Sequence, residues 1–111
     1  MSALKYEIYQ ALGDPARLTM VERLGDQGPM TTMKLVEGLG MTRQAATKHL
    51  LVLENVGLVT STVRGRQIMR ELRLEVLDDA ADWLSARAKA WDRKLDALQK
   101  FVEGQSIKIS Q

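Results

Sequence analysis

The chain has 111 residues, 45% of them hydrophobic and 27% charged, a size and mixture that suit one globular core and exclude a disordered chain or two ordinary domains. It has no cysteine, which excludes disulfides, thiolate metal sites and thiol redox switching, and no apolar run of about 18 residues that could span a bilayer. The net charge of +2 conceals an uneven distribution: residues 43–73 carry six basic and two acidic side chains, a net of +4, while the segments on either side each net −1. Such a concentration points to an anionic partner, with nucleic acid foremost.

The start, MSALKYEIYQ, lacks the basic and apolar succession of a signal peptide, so a cytoplasmic location is the expectation. Leu4, Ile8 and Leu12 recur at helical spacing over Ala3 to Leu12 and predict a short first helix. Asp14 then caps a second helix, with Pro15 at its first position, where a missing N–H costs nothing. Leu18, Val21 and Leu24 form its expected inner side, and Gly25 and Gly28-Pro29 break it.

Thr31 or Thr32 caps a short third helix with Leu35, Val36 and Leu39 as apolar positions, and Gly40 supplies a tight turn. Thr42 caps a fourth helix, on which Ala46, Leu50 and Leu53 share one side while Arg43, Gln44, Thr47 and Lys48 share another. Gly57 ends it. The β-branched run LVTSTV, a turn at Arg64-Gly65 and the extended RQIMRELRL make a two-stranded hairpin.

From Val76 to about Glu103 the residues Leu77, Ala81, Leu84, Ala88, Trp91, Leu95, Leu98 and Val102 are spaced 4, 3, 4, 3, 4, 3, 4, an unbroken heptad stripe. Asp78, Asp79 and Asp82 near its start and Lys94 and Lys100 toward its end complement the helix dipole. The tail GQSIKISQ, residues 104–111, has no periodicity and is expected to fray. The domain expectation is therefore a single domain over residues 1–103, with its last helix over about 76–103, followed by that tail.

A short helix, a glycine turn and a second helix with a polar outer face form a helix-turn-helix, and a basic hairpin directly after it makes a winged one. The fold class is mainly α with a β-hairpin wing (α+β), in the order α-α-α-α-β-β-α. A helix fits the DNA major groove, where its N-terminal residues approach base edges. Arg43 and Gln44 suit guanine and adenine in bidentate geometry, and Ala45 or Thr47 could touch a thymine methyl. Lys48 and Thr31 or Thr32 suit phosphates, Thr42 and His49 complete the DNA-binding set, and Arg64 and Arg66 at the hairpin tip suit an adjacent minor groove. Each feature alone reads as a solvated helix face or an ordinary exposed turn; their order along the chain favours DNA binding.

The segments ALGDPARLTMVERL, LVEGLGMTRQAATKHLLVLENVGLV and RGRQIMREL resemble the ArsR-type (ArsR/SmtB) family of bacterial winged-helix repressors, from about Ala11 to Leu74. The resemblance implies a homodimer that binds an operator and represses transcription of its own or a neighbouring operon, with the long final helix as the dimerising element. Leu77, Leu84, Trp91, Leu95 and Leu98, with Leu4 and Ile8 of the first helix beside them, are then the interface; a monomer would expose the stripe. The chain departs from the family's metal sensors in having TTMKLVEG where they carry cysteines, and acidic residues without a histidine on the last helix. Leu51 stands where a basic or polar residue is expected, and Thr60, Ser61 and Thr62 replace a more basic first wing strand.

His49, the one histidine, lacks the cysteines or second histidine that a transition-metal site needs and any serine or cysteine partner for proton transfer. Its expected job is a hydrogen bond to a DNA phosphate or to neighbouring backbone. Met30, Met33 and Met41 read as core filler rather than a Cu(I) site, and Trp83 and Trp91 as dimer core rather than a ligand pocket. The function expected is that of a metal-independent dimeric repressor without cofactor, acting on an inverted-repeat operator of double-stranded DNA, neither an enzyme nor a membrane protein, its inducer unspecified. The alternative is a winged-helix module that docks protein without reading sequence.

Overall fold

The computed structural model describes the backbone of residues 5–109. Its elements are α1 (Lys5–Leu12), α2 (Pro15–Gln27), β1 (Met30–Thr31), α3 (Thr32–Leu35), α4 (Arg43–Asn55), β2 (Val59–Arg64), β3 (Gln67–Leu72) and α5 (Leu74–Ile109). The chain divides into two compact units, one ending at Asp78 and the other beginning at Asp79. Leu4 lies outside the described residues. Among the described residues no helix is long and apolar enough to cross a membrane.

In the first unit, local sequence sets each helix start. The Asp14 carboxylate accepts from the Arg17 N–H at 3.0 Å at the head of α2, with Pro15 next to it. Thr31 does the same for α3 through the Lys34 N–H, and Thr42 for α4 through the Ala45 N–H. Such caps each contribute about 1 kcal/mol by satisfying N–H groups that the helix itself leaves unpaired. Gly40 adopts φ 71 in the turn before α4, the left-handed region that glycine enters without a Cβ clash.

The core gathers Met20, Leu24, Leu35, Ala46, Leu50, Leu53 and Leu58, all at 2% exposure or less. Burial of each large side chain contributes about 1.5–3 kcal/mol. Two expectations for α2 change here. Leu18 is exposed and Met20 takes its place inside, and the helix runs through Gly25 to Gln27 rather than breaking at it. Ile8 is buried in the single chain, so it offers little surface to a partner.

The hairpin is part of a three-stranded antiparallel sheet of order β1-β3-β2, because Met30 and Thr31 pair with Arg70 and Met69. In β2 and β3 the register runs from Val59 opposite Leu72 to Arg64 opposite Gln67. The turn is therefore Gly65-Arg66 rather than Arg64-Gly65, with Gly65 at φ 62 as a tight two-residue connection requires.

In the second unit α5 forms a continuous helix that extends beyond Glu103 to Ile109, past the expected start of a frayed tail. Leu84, Trp91, Leu95 and Leu98, the heptad positions, are 51–61% exposed. Arg87 lies over the Trp83 ring at 5.4 Å from its centroid, a cation–π contact along one turn.

Candidate nucleic-acid interface

The site grows from the two faces of α4. Ala46, Leu50 and Leu53 are fully buried, which fixes the rotation of the helix about its axis. That rotation turns Arg43, Gln44, Thr47 and Lys48 outward, where they line one open, shallow depression. Thr47 donates its hydroxyl proton to the Arg43 carbonyl at 2.9 Å. Ala45 is half-buried and Thr42, beside it, is exposed.

Arginines inside the domain set α3 and the wing against this helix. Arg23 of α2 donates to the carbonyls of Leu35 and Glu37 at 2.9 and 2.8 Å, holding the end of α3 and the turn that follows. Arg70 of β3 is 9% exposed, and its Nε donates to Thr32 Oγ1 at 3.1 Å. Its Nη1 donates to Glu54 Oε2 at 3.2 Å and to Ser61 Oγ at 2.6 Å, while Ser61 in turn donates to Glu54. One guanidinium thus joins α3, α4 and both wing strands. A planar fork with several donors suits that role where a lysine would not.

This network changes two expectations. Arg70, counted in the basic excess, is an internal clamp rather than an exposed cation. Thr32, a candidate phosphate holder, is buried with its hydroxyl accepting from Arg70, whereas Thr31 is only half-buried. Thr31 accepts the Lys34 N–H and keeps its own hydroxyl proton to donate. Arg64 and Arg66 are exposed at the wing tip, as is Gln67.

Within the chain, His49 meets side chains rather than neighbouring backbone. Its Nδ1 lies 3.4 Å from Arg17 Nη1 and 3.9 Å from Asp14 Oδ2. Arg17 also donates through Nε to the Ala11 carbonyl at 2.7 Å, closing the end of α1. The Asp14 carboxyl is held below its usual range, first by the Arg17 backbone N–H, against desolvation that pushes it up, with smaller help from the Arg17 guanidinium and the neighbouring His49. Asp14 and Arg17 at the head of α2 and His49 of α4 therefore form one joint between the first helices and the reader helix. The 32 positions between Arg17 and His49 keep this joint out of any local sequence pattern.

Capped turn, outward polar helix and clamped basic hairpin together define a winged helix-turn-helix DNA-binding domain. Residues 12–62 match the model of a helix-turn-helix domain family. A Bacillus subtilis regulator of the helix-turn-helix type, YuzN, is 40% identical over 72 residues, which cover 60% of this chain and 78% of that protein. The Mycobacterium tuberculosis regulator NmtR is 37% identical over 75 residues, 64% of this chain and 62% of that one. An ArsR-like transcriptional regulator from Rhodococcus sp. RHA1 superposes with a TM-score of 0.76 at 31% identity, covering 87% of this chain and 91% of that chain. The chain belongs to the ArsR family of winged helix-turn-helix transcriptional regulators, which act by binding DNA.

Proposed function

We propose that the chain is a metal-independent, cytoplasmic, homodimeric repressor that reads an inverted-repeat operator in double-stranded DNA at its own or a neighbouring operon. The observation that carries this reading is the division of α4 into a fully buried apolar face and an outward face of Arg43, Gln44, Thr47 and Lys48 beside a basic wing. Arg43 and Gln44, in the first turn, read base edges, and Ala45 and the Thr47 methyl meet thymine. Lys48, Thr42 and Thr31 hold phosphates, while Arg64 and Arg66 follow the strand or a narrow minor groove. The exposed α5 stripe of Leu84, Trp91, Leu95 and Leu98 is covered by the same stripe of a second copy. An apolar surface of that extent is costly in water, and two-fold symmetry would present two reader helices to successive groove faces.

Readers and holders separate by substitution. Gln44→Ala costs about 1–3 kcal/mol on the operator and relaxes preference at one base per half-site. Arg66→Ala weakens all sequences nearly alike and flattens the salt dependence by about one unit per subunit. Titrations of operator and mixed-sequence duplexes over a range of salt check both. Equal losses on the two DNAs for Gln44→Ala would reduce the α4 face to a phosphate-binding surface.

The same titration tests the absence of metal control. With no cysteine in the chain and its one histidine engaged by Asp14 and Arg17, added Zn(II), Cd(II) or arsenite leaves DNA affinity unchanged within about twofold. A stoichiometric metal bound at Asp78 and Asp82 that weakens DNA binding would contradict this.

A further inference from the structure

Between the reader helix and the wing lies a cleft of about 410 Å³, lined by Met33, Arg43, Arg66, Gln67, Ile68 and Arg70 together with threonines of α3, α4 and the short strand before α3. Most of its polar atoms are already engaged. Thr32 Oγ1 accepts from Arg70, Thr47 Oγ1 donates to Arg43, and the Arg70 guanidinium is spent on Thr32, Glu54 and Ser61, while Thr31 Oγ1 accepts from Lys34 and keeps one proton to donate. What the cleft offers a visitor is therefore an apolar wall and a cationic rim, with the Thr31 hydroxyl and the Gln67 amide at its edge. Met33 is 58% exposed and Ile68 46% exposed, while the Arg43 and Arg66 guanidiniums make no hydrogen bond or ion pair among the described residues.

The register of the hairpin explains why Ile68 is there. Residues two apart on a strand share a face, so Ile68 projects to the same side as Arg70, whose side chain reaches α3 and α4. Val63, directly opposite Ile68, belongs to that side too and is exposed. A wing built only to attract phosphate would carry polar residues at these positions. Apolar side chains gathered beside unpaired arginines in one cleft suit a ligand that alternates anion and hydrocarbon.

We propose, on the basis of the DNA-binding reading above, that this cleft seats a sugar–phosphate unit of the DNA strand, with Ile68 and Met33 packed on the carbon face of a deoxyribose and Arg66 on the adjoining phosphate. The cleft makes the wing a shape-reading element in addition to an electrostatic one. Its contribution is independent of sequence, because every nucleotide presents the same sugar, and independent of salt, because the contact of Ile68 and Met33 releases no counterion.

The test uses the full chain and a mixed-sequence DNA duplex, for which sugar contacts count as fully as on any operator. Ile68→Ser lowers affinity about fivefold, the worth of the apolar area withdrawn, with the slope of affinity against salt unchanged. Met33→Ser acts in the same way, and Ile68→Leu restores binding. Thermal unfolding of each variant shows whether the wing remains folded, as is expected for exposed positions. Arg66→Ala provides the contrast, since it flattens the salt slope. The inference is overturned if Ile68→Ser and Met33→Ser bind as the unaltered protein does, or if their losses come with a changed salt slope. If the unaltered protein binds the duplex without salt dependence, the DNA-binding reading itself falls, and the seat with it.

Discussion

Leu84→Glu combined with Leu95→Glu is expected to turn the protein into a monomer or an unfolded chain, and to weaken operator binding by on the order of a hundredfold or more. Both leucines stand on the heptad stripe of α5, more than half exposed in the single chain. A carboxylate at either position would be desolvated by a second copy of the helix, which costs several kcal/mol unless paired. The loss of DNA affinity follows from geometry, because two linked reader helices convert the second half-site contact into an intramolecular event. Sedimentation velocity reads the first effect and a duplex titration the second. A compact dimer that survives both changes would place the interface elsewhere.

The second large effect concerns the clamp. Arg70→Ala is expected to destabilise the fold by about 3 kcal/mol, since it leaves Glu54 without its cation and Thr32 and Ser61 without a donor at a site that is mostly shielded from water. Arg70→Lys recovers only part of this, because an ammonium cannot reach three acceptors on separate elements in fixed directions. Arg66→Ala, at the exposed wing tip, stays within about 0.5 kcal/mol of the unaltered protein. Chemical denaturation of the three variants checks the series, and a double-mutant cycle with Glu54→Gln isolates the pair. If Arg70→Ala unfolds at the same denaturant concentration as the unaltered chain, the guanidinium is not holding the wing.

The contrast between these two arginines bears on what a sequence discloses. Both lie in the basic middle third, and a count of charges treats them alike. The strand pattern Ile68, Arg70, Leu72 carried the distinction, since alternation places Arg70 on the face that turns toward the domain. Helix starts were legible because capping is local: Asp14-Pro15, Thr31 and Thr42 each act within three residues. The fourth helix was legible because Ala46, Leu50 and Leu53 keep helical spacing, and all three are buried.

Other features depend on tertiary partners that no local pattern reports. The strand Met30–Thr31 is two residues long and too short for any periodicity, so it exists only through its pairing with Arg70 and Met69. Leu18 and Met20 exchange sides because the buried face of α2 is chosen by what packs on it rather than by its most apolar residue. The joint of Asp14, Arg17 and His49 closes across 32 positions and joins groups whose separate local roles were clear. The apolar lining by Met33 and Ile68 was obscured for a related reason, since isolated exposed hydrophobic residues are ordinary until a fold brings them to one cleft.

The central claim is that the Arg43–Lys48 face reads duplex DNA as a symmetric pair. Selection of bound fragments from the source genome, followed by footprinting of the enriched site, tests it most directly. The expected result is an inverted repeat whose half-sites lie about 34 Å apart, or a multiple of that, with affinity falling steeply as salt rises. Fragments that share no sequence, bound with an affinity indifferent to salt, would contradict it.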